Sequence, residues 1–205
     1  GGSYQTVPAS AYYTCQVAPT ATNGLVVEYR LEGPTWNGTA GEVLDTSGLG
    51  VHGRAINGAV SSPARVCNGA ELDGSNFLRI PDHASLDLSD ELTVTAWIYL
   101  EQLNSGGLRS ILSKDENYEF HIRDDRSIYW WWNSNGGTRS FDTGSTRISL
   151  NTWHHVAVVY ADGRQSIYLD GTEVAFETYS GETLVTNADP LEVGADQGLA
   201  DRNWV

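Results

Sequence analysis

The feature that most constrains this chain is a strict period of two, repeated between glycine turns. Leu92, Val94, Ala96 and Ile98 fall on one face of an extended segment, and Thr93, Thr95, Trp97 and Tyr99 on the other. Side chains alternate in this way along a β-strand. Leu25 to Leu31, Ser110 to Ser113, Tyr118 to Arg123, Ser127 to Asn133, Trp153 to Tyr160, Gln165 to Leu169 and Leu191 to Val193 also read as short strands. Between them stand Asp124-Asp125-Arg126, Asn135-Gly136-Gly137, Ala161-Asp162-Gly163 and Asp170-Gly171. Asp-Gly and Asn-Gly between alternating runs mark hairpins. No long amphipathic helical pattern competes with them. The expected fold is all-β: a two-sheet antiparallel β-sandwich of the jelly-roll type.

Composition sets the limits of function. The 205 residues are 40% hydrophobic and 19% charged, enough to bury a core. Residues 1–23, rich in Gly, Ser, Thr, Ala and Pro, read as an extended segment or linker, and residues 24–205 as the domain. The net charge is −14, and Lys114 is the only lysine. Such a surface repels a polyanion, so nucleic acid is not an expected partner. No apolar run approaches the ~20 residues of a membrane span, so membrane insertion is not expected either. Methionine is absent even at position 1, which suggests a processed product or a fragment. Cys15 and Cys67 match neither a zinc spacing nor a Cys-x-x-Cys redox motif. A disulfide in an exported protein is the expected reading, with two separate buried thiols as the alternative.

Six segments then occur in a recognisable order. They are Leu25 to Leu31, the loop Asp45-Thr46-Ser47-Gly48-Leu49-Gly50-Val51-His52-Gly53, the turn Ala70-Glu71-Leu72-Asp73-Gly74, the strand Leu92 to Leu100, Trp153-His154-His155-Val156-Ala157, and Ile167-Tyr168-Leu169-Asp170-Gly171. Together they resemble the laminin-G-like jelly roll of the concanavalin A-like lectin/glucanase superfamily, across roughly residues 24 to 200. Trp36 to Val43, Ser113-Lys114-Asp115, Asn117 to Ile122 and Ile128 to Asn133 carry a closer resemblance. They are similar to the MshQ-type laminin-G-like domain of the mannose-sensitive haemagglutinin (MSHA) pilus system of marine Gram-negative bacteria. That resemblance implies an extracellular or cell-surface adhesion domain, with a glycan or a pilus or surface protein as partner. The family usually finishes with a Gly-x-Ile-Asp-Glu-Val strand, and this chain stops before it, at Asn203-Trp204-Val205. Without that strand a sheet edge and core surface would be exposed, and the alternatives are a truncated chain or a strand completed by another molecule.

The resemblance also raises calcium. Related domains often place the ion at the loop occupied here by Asp45 and Ser47. Calcium takes six to eight oxygens, commonly carboxylates mixed with carbonyls. The alternative is that Asp45 caps its own turn through an Asx hydrogen bond.

The run Tyr129-Trp130-Trp131-Trp132-Asn133, with Asn135 after it, is the most unusual local feature. Flat aromatic faces stack on the apolar faces of sugars, and neighbouring amides supply hydrogen bonds. These residues are the candidate ligand site, with core packing as the alternative for each Trp. Trp130 and Trp132 must face one way, Tyr129 and Trp131 the other. His154 and His155, adjacent on one strand, point oppositely and cannot easily share a metal. A glycosidase needs two carboxylates ~5 to 9.5 Å apart. The glucanase pattern Glu-x-Asp-x-x-Glu does not occur, nor does Gly-x-Ser-x-Gly. The expected function is non-catalytic adhesion by a carbohydrate-binding domain. A structural or assembly domain of a surface fibre is the alternative, and a hydrolase the third reading.

Overall fold

A computed structural model describes residues 23–33, 35–103 and 107–198. The strands are β1 Arg54–Ile56, β2 Val60–Pro63, β3 Asn68–Glu71, β4 Phe77–Ile80, β5 Glu91–Tyr99, β6 Leu108–Lys114, β7 Tyr118–Arg123, β8 Ile128–Ser134, β9 Gly137–Asp142, β10 Trp153–Ala161, β11 Arg164–Leu169, β12 Thr172–Thr178 and β13 Leu191–Val193. Among the described residues a single 3₁₀ turn, Ala84–Leu86, interrupts them. No helix of the described residues is long and apolar enough to cross a membrane.

The strands form two main sheets. One has seven strands in the order β1-β4-β13-β6-β7-β8-β9; the other has four, β12-β11-β10-β5. β2 and β3 make a separate ribbon. All pairings between these strands are antiparallel. This is the expected sandwich.

Turn chemistry fixes the register where the sequence signalled hairpins. Asp162-Gly163 joins β10 to β11, with Ala161 opposite Arg164. Asp170-Gly171 joins β11 to β12, with Leu169 opposite Thr172. All four residues have positive φ, from 50° to 83°. A two-residue loop with that backbone matches the strand twist, and Asp-Gly tolerates it. At Gly163 a Cβ would also lie 2.4 Å from the Tyr179 carbonyl oxygen, so no larger residue fits there.

Between the sheets, Tyr118, Phe120, Ile122, Ile128, Trp130 and Trp132 meet Leu92, Ile98, Val156, Val158, Tyr160 and Ile167. Trp130 and Trp132 are 0% and 1% exposed. Trp130 Nε1 donates to Gln165 Oε1 at 2.8 Å, which satisfies the one polar atom of the indole across the core. Lys114 is also fully buried. Its ammonium donates to Asp82 Oδ1 (2.7 Å) and to the carbonyls of Asn187 (2.9 Å) and Asp189 (2.8 Å).

Two expectations need adjustment. Leu25 to Leu31 does not join either sheet as an opening strand; it makes one isolated bridge, Tyr29 to Asp45. Beyond that bridge, and the Thr46 amide donating to the Glu28 carbonyl at 2.8 Å, it is held by side chains: Tyr29 packs on the core and its hydroxyl donates to the Val51 carbonyl at 2.6 Å. Second, β5 carries the inward set Leu92, Val94, Ala96 and Ile98, yet only Leu92 and Ile98 are buried. Among the described residues β5 pairs with β10 alone, so its other side is a sheet edge. The linker expected over residues 1–23, Cys15 and the terminal Asn203-Trp204-Val205 lie outside the described residues, Asn23 excepted.

Candidate functional site

The face of the seven-stranded sheet that points away from the core is polar and titratable. Its composition follows from the register. Arg79 lies opposite Glu192, Glu192 opposite Ser113, Ser113 opposite Glu119, Glu119 opposite Trp131, and Trp131 opposite Ser140. One row thus crosses six strands. A second row runs Ser110, His121, Tyr129, Asp142. Trp131 is the aromatic centre of this face, half-buried and flanked by a carboxylate on one strand and a hydroxyl on the next.

Tyr129 stands beside it, also half-buried. The Arg123 guanidinium lies over its ring at 4.2 Å, and the His121 ring stacks with it at 6.3 Å. Cations over an aromatic face hold it in one orientation. An open cleft of about 410 Å³ adjoins Tyr129, lined by Gly107, Leu108, Arg123, Asp124 and Asp125.

The alternation therefore divides the predicted site. Tyr129, Trp131 and Asn133 lie on the outward face. Trp130 and Trp132 are core residues, and this corrects their inclusion as ligand contacts: strand geometry turns them inward, where they stack on each other at 6.3 Å. Asn133 donates to the Glu116 carbonyl (2.9 Å) and accepts from Thr138 Oγ1 (2.6 Å). Asn135 accepts from the Thr183 amide at 3.2 Å. Both side chains thus bind backbone of other segments, although Asn135 is exposed.

The sequence reading missed Glu119, His121, Ser113 and Asp196. Glu119 and His121 are residues i and i+2 on β7, so both leave the core face held by Tyr118, Phe120 and Ile122. His121 Nε2 contacts Glu119 Oε2 at 2.8 Å. Asp196 comes from the segment after β13 and accepts from Ser113 Oγ at 2.7 Å. One ligand atom from each of Glu119, His121 and Asp196 lies within 4.8 Å of the others, and all three residues are buried. The alternation of Tyr118 to Arg123 was the available signal for the first two; nothing local pointed to Asp196.

The predicted metal loop has a different character. Asp45 Oδ1 accepts from the amides of Glu28 (3.0 Å) and Ser47 (2.8 Å). Its Oδ2 accepts from Ser47 Oγ (2.8 Å) and the Val51 amide (3.0 Å). Burial alone would raise its pKa. The donors from Glu28, Ser47 and Val51 outweigh burial and hold Asp45 below its ordinary value of 3.8. As placed, these groups fit a cap better than a cation, because three of the four donors are backbone N–H groups and only Ser47 Oγ is an oxygen. Cys67 lies in a tight turn at φ 55°, and its carbonyl accepts from the Ala64 amide at 2.8 Å. Since Cys15 is outside the described residues, their bridge stays a proposal.

A second aromatic surface lies on the outward face of the four-stranded sheet. Trp97 is 47% exposed and packs edge-on against His155, with Arg65 over its ring at 5.3 Å. Phe176 is 53% exposed beneath Arg164, 3.8 Å away. The His154 ring bonds Asp170 Oδ2 at 2.8 Å whereas the His155 ring packs on Trp97, so the two imidazoles do not share a site.

The family model described as the concanavalin A-like lectin/glucanases superfamily matches residues 72–205. No curated protein matches the chain in sequence. Among solved structures, the chain is similar to the binding domain of Paraclostridial Mosquitocidal Protein 1, with a TM-score of 0.65 and 14% identity, over 84% of this chain and 45% of that one. It is similar to domain 4 of AbnA, an extracellular arabinanase of family GH43 from Geobacillus stearothermophilus solved with arabinotriose: TM-score 0.59, 20% identity, 78% of each chain. The receptor binding domain of botulinum neurotoxin D gives a TM-score of 0.58 at 16% identity, over 90% of this chain and 47% of that one. The chain thus spans under half the length of the toxin structures it resembles, and at these identities the likeness is one of fold.

Proposed function

The chain belongs to the concanavalin A-like lectin/glucanases superfamily, and from that premise we propose that it is a non-catalytic domain that binds carbohydrate on the outward face of its seven-stranded sheet. The observation that carries this reading is Trp131. It is an aromatic ring turned out of the core, in a row of hydrogen-bonding side chains, beside a Tyr129 ring pinned by Arg123. A sugar offers an apolar C–H face to such a ring and hydroxyls to its exposed neighbour Ser140, since Glu119 on the other side is buried. A fold of this kind hosts many activities, so the site and not the fold is the argument. The net charge of −14 favours a neutral glycan over a sulfated or sialylated one.

The finer reading is an extracellular adhesion domain on the surface of a Gram-negative bacterium, associated with a pilus. Its support is the segmental resemblance to the MSHA-type domain. Calcium at Asp45 and Ser47 belongs to the same reading, and an ion there would have to displace four hydrogen bonds. The Cys15–Cys67 disulfide belongs to it too.

A second reading has its own observation. Trp97 and Phe176 are exposed on the opposite sheet, and β5 is an edge strand with half-buried core residues. That combination suits a structural or assembly domain that docks another protein. The hydrolase reading has the least support: Glu119 and Asp196 approach each other, but both are covered and do not face a substrate cleft.

A glycan array, run with and without calcium on wild type, Trp131→Ala and Trp97→Ala, tests the choice. Loss of signal in Trp131→Ala alone is expected. Full retention in Trp131→Ala with loss in Trp97→Ala would transfer the site to the four-stranded sheet.

A further inference from the structure

The outward face of the seven-stranded sheet buries two carboxylates and an imidazole together. Glu119, His121 and Asp196 are 2%, 0% and 1% exposed. Groups of this kind are almost never removed from water unless paired or bound to a metal. The backbone brings them together from two directions. Glu119 and His121 leave β7 on the same side, while Asp196 reaches in from the segment that follows β13. That segment turns at Gly194 (φ 85°) and is tied down again where the Gly198 amide donates to Glu192 Oε2 at 2.9 Å.

Two further atoms point to something besides protein. His121 Nδ1 is buried and has no hydrogen-bond partner. Ser110 Oγ, on the residue directly opposite His121 across β6 and β7, is buried and has none either. Buried polar atoms are rarely left unpaired, and an ion is one of the standard causes. The Glu119–His121 contact explains one ring nitrogen only.

We propose that Glu119, His121 and Asp196 bind a divalent cation of the zinc class. One imidazole nitrogen and one oxygen from each carboxylate make three protein ligands, and Ser110 Oγ or a water supplies a fourth. Zinc accepts this mixed nitrogen and oxygen set in four-coordinate geometry. Calcium, which takes six to eight oxygens, is not matched by it. Ligand atoms within 4.8 Å of one another close onto an ion with small side-chain shifts. Because Glu119 is opposite Trp131 and His121 is opposite Tyr129, the ion would lock the floor beneath both aromatics. The inference does not depend on the carbohydrate reading: the ion can be present whether or not a glycan binds.

The test uses the full chain, stripped with EDTA and titrated with Co²⁺ and Zn²⁺. The expected results are a ligand-field absorption band saturating at one equivalent of Co²⁺, displacement of Co²⁺ by Zn²⁺ but not by excess Ca²⁺, and a higher melting temperature with Zn²⁺. Asp196→Asn and His121→Ala, checked for folding by circular dichroism, should each weaken binding more than ~100-fold, beyond the loss typical of an outer-shell change. A wild-type chain with no cobalt band and a melting temperature indifferent to Zn²⁺ and EDTA would overturn the proposal. Equimolar binding that survives both substitutions, or displacement by Ca²⁺, would overturn it as well.

Discussion

Replacing the three consecutive tryptophans of β8 one at a time should separate stability from binding. Trp130 and Trp132 are core residues, and truncation of such a Trp to Ala costs ~3 to 5 kcal/mol. Trp130 should sit at the upper end. Its indole N–H is the partner of Gln165 Oε1, and Gln165 is itself buried, so the variant also leaves an unpaired acceptor worth about 1 to 3 kcal/mol. Trp131 loses only an outward cross-strand contact with Glu119 and Ser140, of order 1 kcal/mol or less. In urea, with a slope of up to ~3 kcal/mol per M, the first two variants should lower the midpoint by about 1 M or more. Trp131→Ala should barely move it. Far-UV circular dichroism is the suitable probe, because the substitutions remove the fluorophores themselves. Glycan binding should show the reverse order, abolished in Trp131→Ala and retained by Trp132→Ala where the latter is folded. Equal destabilisation by Trp131→Ala and Trp132→Ala, with binding untouched in Trp131→Ala, would refute the reasoning from strand alternation to site.

Lys114→Met should cost about 3 kcal/mol in urea unfolding, because it strands the Asp82 carboxylate and the carbonyls of Asn187 and Asp189; a neutral result would mean that water replaces the ammonium freely. For Asp45 the folded pKa lies below the ordinary 3.8, so its stabilising effect is present above that pH and is lost as pH falls through the lower, folded value. Asp45→Asn should therefore reduce stability at neutral pH and narrow the gap from wild type at pH values below 3.8, read from melting curves across acid pH. If calcium binds this loop, wild type gains melting temperature with the ion and Asp45→Ala does not; curves indifferent to calcium and chelator dismiss the ion. Thiol titration of exported protein under denaturing, non-reducing conditions should detect no free thiol, and two would refute the Cys15–Cys67 bridge.

Much of the sandwich was legible because its signals are local. Val156 and Val158 alternate with Ala157 and Val159 within one strand, and Asp162-Gly163 and Asp170-Gly171 specify their own backbone. The edges were less legible. Thr172–Thr178 and Gly137–Asp142 carry little apolar alternation, since each pairs on one side only and lies largely in contact with solvent. Leu25 to Leu31 has a strand-like composition but meets the core by side-chain packing, so β-propensity misled there.

The site shows the same division more sharply. Alternation states that Trp131 and Trp130 face opposite ways, but it is symmetric and names no inside. The inside is set by what β8 pairs with. Phe120 opposite Trp130, and Tyr118 opposite Trp132, put the rings of two strands on one side, and Glu119 and His121 on the other. Read jointly, β7 and β8 decide the matter: a face holding Glu119, His121 and Arg123 could not be the core against Val156 and Val158 without burying their charge unpaired. The polar strand thus orients the aromatic one. What no pairing of neighbouring strands could reveal is that Glu119 and His121 are nonetheless buried. Their cover includes Asp196, which lies far along the chain, and its arrival turns an ordinary outward row into a closed cluster beneath the aromatics.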